Sequence, residues 1–336
     1  MPVTLPHYPV SEVLGDIASA LESGTRAVLS APPGAGKTTI VPLYLLGAAW
    51  RGDGRIVLLE PRRLAARSAA NRMASLLGEK VGETVGYRMR LDSRISARTR
   101  IEVVTEGVFA RMILDDPELA DVACVIFDEF HERSLDADVG LALALDSQSA
   151  LRDDLRLLVM SATLDTKRIV ALLDGAPLIE SQGRTYPIDI RYQDRDASQP
   201  VEEVVAKAII EAHRNEEGSI LAFLPGQREI LRTAERIEGK LGADTIVAPL
   251  YGALGQAEQD RAIRPAPDGK RKVVLATSIA ETSITIDGVR IVIDSGLQRR
   301  PVYEPATGIT RLETRRISRA SADQRAGRAG RTEPGI

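Results

Sequence analysis

The chain reads RAVLSAPPGAGKTTIVPLYLLGAAW from Arg26 to Trp50. A short apolar run enters a Pro- and Gly-rich turn, and an apolar helical pattern leaves it. Strand, glycine loop and helix in immediate succession make a cradle for phosphate. Glycines let backbone N–H groups turn inward with no Cβ in the way, and the helix N-terminus adds a partial positive charge. The loop spells Ala31-Pro32-Pro33-Gly34-Ala35-Gly36-Lys37-Thr38, the phosphate-loop pattern G-x-x-x-x-G-K-[ST] with Ala31 in place of the first Gly. Gly34, Ala35, Gly36, Lys37, Thr38 and Thr39 are expected to hold a nucleoside triphosphate, with Lys37 on the β- and γ-phosphates and Thr38 on Mg2+.

Outward from this loop the same rhythm recurs. RIVLLEPRR, IEVVTEG, VACVIFDEF and LRLLVMSATL are apolar, β-branched-rich runs ending in Gly, Pro or polar clusters, with amphipathic stretches such as RRLAARSAANRMASLLG between them. That alternation predicts a parallel sheet with helices on both faces. The series restarts after about residue 185 with YPIDIRY, EEVVAKAIIEAH, GSILAFLPGQ, REILRTAERIEGKL, DTIVAPLYG, RKVVLATS and VRIVIDSG, and the Gly- and Pro-interrupted DGAPLIESQGRTYP separates the two series. At 336 residues the chain exceeds the size at which one core stops growing. Two stacked α/β domains are therefore expected, residues 1–180 and 181–336, with a cleft between them. In such sheets chemistry sits beyond the carboxyl ends of the strands.

Composition narrows the classes. With 44% hydrophobic and 27% charged residues the chain is an ordinary globular protein. A net charge of −3 means that any polyanion site must be a local patch. The single cysteine, Cys124, excludes an internal disulfide and any cysteine-based zinc site. No apolar run reaches the roughly 18 residues of a membrane span, and MPVTLPHYPV lacks the pattern of a signal peptide. A cytoplasmic protein without membrane contact is expected.

A second strand supplies what the phosphate loop lacks. CVIFDEFHERSLDADVG, from Cys124 to Gly140, drives an apolar run into two adjacent carboxylates. Beside a phosphate loop, Asp128 suits the role of Mg2+ ligand through water, since Mg2+ surrenders its hydration shell reluctantly. Glu129 suits that of the base that orients and deprotonates the attacking water.

These stretches form an ordered set: GAGKTT (34–39), EPRRLAARSAANR (60–72), TEGV (105–108), DEFH (128–131), SAT (161–163), LAFLPGQREI (221–230), ATSIAETSITIDG (276–288) and QRAGRAGR (324–331). From about residue 10 to 336 the chain resembles the superfamily 2 helicases of the DEAH-box group, most of all their bacterial HrpB-type branch. It departs at Phe130, where the box has Ala, and at Ala31, a substitution frequent in that superfamily. The resemblance implies two tandem RecA-like domains, ATP and Mg2+ as cofactors, and residue roles. His131 would link the nucleotide site to Gln324, which helps place the lytic water, and Arg328 and Arg331 would reach the γ-phosphate. Ser161 and Thr163 would couple hydrolysis to unwinding, Arg72 would stack on the base, and Asp287 would lie near the ribose. The aromatic that completes the base sandwich is missing: Ile263 or Arg264 stands before PAP. Weak selection among ATP and other NTPs is therefore expected. GLQRRPVYEPATGITRLETRR resembles the hairpin that DEAH helicases use as a strand-separating wedge, here near 297–316.

Nucleic acid contacts are expected where strands give way to helices: Arg62, Arg63, Thr105 and Gly107 in the first domain, and Thr277, Glu281 and Thr282 in the second. With 4% Phe, Trp and Tyr, a stacking platform is not expected. The reading that follows is a monomeric ATP-dependent RNA helicase or translocase core moving 3′-5′ on single-stranded RNA. The alternative is a nucleotide-switched remodelling ATPase that needs no nucleic acid. The chain stops at QRAGRAGRTEPGI, where members of this family continue into winged-helix and helical-bundle domains, so an N-terminal core is expected.

Overall fold

A computed structural model of the protein describes residues 5–162, 166–182, 186–194, 196, 198–267, 269–281, 286, 288–331 and 333–336. The chain divides into two compact units, Met1–Gly183 and Arg184–Ile336.

The first unit is built on an eight-stranded sheet: β1 (Arg26–Ser30), β2 (Arg55–Glu60), β3 (Val85–Met89), β4 (Asp92–Arg94), β5 (Ile101–Thr105), β6 (Val122–Phe127), β7 (Arg156–Ser161) and β8 (Leu178–Glu180), in the order β4-β3-β5-β2-β6-β7-β1-β8. Every pairing is parallel except β3 with β4. Its helices are α1 (Leu14–Ser23), α2 (Lys37–Leu45), α3 (Arg63–Leu76), α4 (Glu106–Asp115), α5 (Leu135–Ala150) and α6 (Thr166–Leu172). The central strands are continuous apolar runs because both faces of a parallel sheet are covered. Their alternation still sorts side chains. Ile56, Leu58, Cys124 and Ile126 join the core under α1 to α3, while Val57, Leu59, Val125 and Phe127 join the core under α4 to α6. Phe130 enters the second core and meets Phe127 edge-on at 6.2 Å, as Phe127 meets Phe109 at 5.7 Å. Such pairs add about 0.5–1.5 kcal/mol each beyond burial, so the departure at Phe130 anchors the acidic turn to the core. Cys124 is fully buried, and burial pushes its thiol up to about 12.

The second unit has a four-stranded parallel sheet of β9 (Ser219–Phe223), β10 (Thr245–Leu250), β11 (Arg271–Ala276) and β12 (Val289–Asp294), in the order β10-β11-β9-β12. Helices α7 (Val201–Asn215), α8 (Gln227–Ile237), α9 (Gln256–Ile263) and α10 (Arg319–Ala326) accompany it. An antiparallel ribbon, β13 (Leu297–Glu304) with β14 (Ile309–Arg316), forms a separate two-stranded sheet. It turns through Gly308 at φ +66°, and Tyr303, Ile309 and Leu312 on it are exposed. The expected strand at YPIDIRY is reduced to one bridge, Ile188 with Gly335. Pro187 has no N–H to give a ladder, and Ile190 and Tyr192 are exposed, so no buried face holds that segment in a sheet.

Candidate nucleotide and nucleic-acid site

The sheet order β6-β7-β1 brings three strand ends together. The loop after β1 carries Gly34 and Gly36 at φ +83° and +85°, a left-handed backbone suited to glycine. A Cβ on Gly36 would also stand 2.8 Å from the Tyr8 side chain. Lys37 opens α2 and is only 4% exposed. Its Nζ donates to Glu129 Oε1 at 2.8 Å and lies 3.8 Å from Asp128 Oδ1. Burial alone would lower its affinity for a proton, but Glu129 and Asp128 outweigh burial and hold the ammonium above its ordinary range. The Thr38 hydroxyl donates to Asp128 Oδ2.

The acidic turn is held by its own backbone. Glu129 sits at φ +50°, ψ +32°, unusual for a side chain of its size. Asp128 Oδ1 accepts from the Glu129 N–H at 2.8 Å and offsets part of that strain. His131 Nδ1 accepts from the Ala162 N–H at 3.2 Å, which places the ring proton on Nε2, 3.4 Å from Glu129 Oε2. The strand end that carries Ser161, itself fully buried, is thereby tied through His131 to Glu129. Ser161 also accepts from the Ala31 N–H through its carbonyl at 2.9 Å, so it borders the phosphate loop.

One neighbour of this cluster escaped sequence reasoning. Glu60, the last residue of β2, is fully buried, and among the described residues no hydrogen-bond donor reaches either carboxylate oxygen. Burial first, then the charges of Asp128 and Glu129, push its carboxyl well above the usual carboxylate range. Burial likewise raises Asp128, against the pull of Lys37. Three carboxylates thus crowd one ammonium. Hydroxyl and carboxylate oxygens with surplus negative charge suit a hard divalent cation. Among the described residues no group of three or more His, Cys, Asp or Glu side chains could hold a metal ion, so a cation here would need phosphate oxygens and water beside Thr38 and Asp128.

The candidate nucleic-acid residues of the first unit lie at adjacent strand ends, with Glu60 paired in register to Thr105. Arg62 precedes α3 and pairs with Glu132 at 3.2 Å, while Arg63 and Gly107 are exposed at the starts of α3 and α4. Arg72 is exposed on α3, and its Nη2 donates to the Tyr8 hydroxyl at 3.3 Å. Tyr8 therefore touches both the phosphate loop and the base-stacking candidate. Its lone place before the first strand gave no signal.

In the second unit Gln324 is half-buried on α10 and Thr277 is half-buried after β11. Helix α10 ends at Ala326, so Arg328 and Arg331 follow it in a turn, where both line one small cavity with Leu221, Ala280, Ile286 and Val289. Arg328 Nε donates to the Glu281 carbonyl at 2.9 Å. Glu281 does not face a strand-end track. Its carboxylate is buried and accepts from Ser321 Oγ and, at 3.0 Å, from Arg325 Nε. Arg325, 1% exposed, also reaches Asp294 Oδ1 at 2.7 Å and lies 4.7 Å from the Phe223 ring centre. Its guanidinium is thus engaged by two carboxylates and an aromatic face. Thr163, Thr282 and Asp287 lie outside the described residues. No helix among the described residues is long and apolar enough to cross a membrane.

Comparison with known proteins bears on this geometry. Residues 15–172 match the family described as DEAD/DEAH box helicase, and residues 201–333 match the helicase conserved C-terminal domain. The chain is 55% identical over 329 residues to the ATP-dependent RNA helicase HrpB of Escherichia coli (strain K12), covering 98% of this chain and 40% of that protein. A crystal structure of the E. coli DEAH/RHA helicase HrpB superposes with a TM-score of 0.92 at 55% identity, over 98% of this chain and 42% of that one. A second, titled as the E. coli DExH-box NTPase HrpB, gives 0.84 at 54% identity, over 99% and 41%. The chain spans about two fifths of the length of these relatives.

Proposed function

The chain belongs to the DEAH-box helicases, in their HrpB branch, with two tandem RecA-like domains, and from that premise we propose that it hydrolyses ATP, and other nucleoside triphosphates at comparable rates, to drive 3′-5′ movement on RNA. The observation that carries this reading is the convergence of Lys37, Thr38, Asp128 and Glu129 beyond the ends of β1 and β6. Residues 34–39 cradle the phosphates. Lys37 leaves Glu129 for the β- and γ-phosphates, and Glu129, released from its ion pair and held by His131, takes a proton from the lytic water. Thr38 and Asp128 hold Mg2+, which supplies charge neutralisation at the phosphates. Gln324, Arg328 and Arg331 complete the site from the second domain, with Arg72 on the base and Asp287 near the ribose. Arg62, Arg63, Thr105, Gly107, Thr277 and Thr282 hold the RNA backbone. Ser161 and Thr163 couple the two events, and the β13–β14 ribbon parts strands. The working form is a cytoplasmic monomer.

The test is the ATPase rate of the chain with and without single-stranded RNA. Stimulation by RNA is expected. A rate that RNA leaves unchanged would favour a nucleotide-switched remodelling ATPase, and no hydrolysis under either condition would end the enzymatic reading.

A further inference from the structure

The strand end that leads into Pro61-Arg62-Arg63 carries a carboxylate with no task in the reaction as described. Glu60 stands at the end of β2, beside the strand that delivers Asp128, whose N–H donates to the Leu59 carbonyl at 3.1 Å. It is fully buried, and neither of its oxygens meets a hydrogen-bond donor among the described residues. An ionised carboxylate buried so costs several kcal/mol, and it holds its charge only where a cation compensates it, taking up a proton otherwise. The ammonium that acts on Glu60 is already taken, since Lys37 donates to Glu129. When Lys37 turns to a phosphate, Glu60, Asp128 and Glu129 lose even that share of positive charge. The species that restores balance is a divalent cation that keeps part of its water shell, because water can donate to oxygens that the protein leaves without donors.

We propose that Glu60 is an outer-shell ligand of the nucleotide-bound divalent cation, accepting hydrogen bonds from cation-bound water beside Asp128. The inference rests on the nucleotide reading above. It makes Glu60 a positioning residue for the metal, separated from Arg62 and Arg63 by Pro61 alone, so that the proposed RNA-contacting segment and the metal shell share one strand end.

The probe is Mn2+, followed by electron paramagnetic resonance as it binds the chain in the presence of ADP, where no turnover occurs. Glu60→Gln keeps size and polarity and removes the charge. Glu60→Leu also removes the polar group, and agreement between the two guards against a folding defect in either. Loss of an outer-shell partner typically weakens metal binding by about 10–100-fold, and both variants are expected to show a loss of that order. ADP affinity measured in EDTA is expected not to weaken, because a negative charge near the phosphates has been removed. Unchanged Mn2+ affinity in both variants, with wild type binding Mn2+ and ADP normally, overturns the proposal while sparing the nucleotide reading. Equal weakening of ADP binding with and without metal makes Glu60 merely structural and also overturns it. Wild type that binds no nucleotide at all sinks the nucleotide reading and this inference together.

Discussion

Each unit buries an acidic residue beside its sheet, Glu60 as the last residue of β2 and Glu281 beyond the turn that follows β11, and the two are treated in opposite ways. In the second unit Glu281 is saturated: Ser321 and Arg325 take its oxygens, Asp294 shares Arg325, and the Phe223 ring covers the guanidinium. In the first unit Glu60 has no donor among the described residues, and Asp128 and Glu129 share Lys37, so carboxyl groups outnumber the ammonium. A saturated buried network rigidifies what surrounds it, whereas an unsaturated one is costly until another species completes it. The contrast separates scaffold from site. Glu281 and Arg325 hold the turn that carries Arg328 and Arg331, and the first cluster is the one proposed to receive a cation.

The strongest way to break the contrast is at Glu129. Glu129→Gln should cut turnover by about 10²–10⁴-fold, the usual worth of a positioned general base, while ATP still binds. Single-turnover hydrolysis beside a filter-binding measurement decides it, and near-normal turnover would strip Glu129 of its role. On the scaffold side, Arg325→Ala should destabilise the fold by about 3–5 kcal/mol, because Glu281 and Asp294 are left as uncompensated buried or half-buried charge. Urea unfolding reads that loss. Arg325→Lys should recover only part of it, since an ammonium cannot reproduce the fork that spans two carboxylates.

A smaller effect concerns the base. Arg72 is braced by Tyr8, and no second aromatic stands at Ile263 or Arg264. One stacking contact is worth about 0.5–1.5 kcal/mol, so ATP, GTP, CTP and UTP should be hydrolysed at rates within about one order of magnitude. Strict ATP preference in a competition assay would reveal a base reader elsewhere. The smallest effect lies in the core. The Cys124 thiol is pushed from 9.0 to about 12 by burial, with Arg156 opposing. Between those values the folded chain holds a proton that the unfolded chain gives up. That stability is fully present below about 9 and is lost as pH rises towards 12. Wild type should therefore lose stability relative to Cys124→Ala across that window in urea titrations, and parallel curves would contradict the assignment.

How much of this could be read in the sequence follows from how local each feature is. The phosphate loop was legible because glycine spacing, Lys37 and Thr38 sit within one strand–loop–helix unit. Asp128 and Glu129 were legible because an apolar run ending in paired acids has few other uses. Glu60 was not, because its burial depends on two neighbouring strands that its own sequence does not mention. Arg325, Arg328 and Arg331 are spaced alike, and the role of Arg325 follows from its bonds to the carboxylates of Glu281 and Asp294, far away along the chain. YPIDIRY alternates like a strand, but a strand also needs a partner edge and a covered face. The β3–β4 pair and the short β8 carry too few residues to announce themselves.

The proposed reaction draws on Lys37, Asp128 and Glu129, which belong to the first unit, and on Gln324, Arg328 and Arg331, which belong to the second. If nucleotide and RNA each bridge both units, each must strengthen the other's binding, by about 1–3 kcal/mol for linkage of this kind. The most direct measurement is the affinity of the chain for single-stranded RNA with a non-hydrolysable ATP analogue and Mg2+, with ADP, and with no nucleotide. The account predicts that the analogue shifts RNA affinity by roughly 5–150-fold relative to the nucleotide-free chain. Three coincident affinities would contradict it, even if the chain hydrolyses ATP.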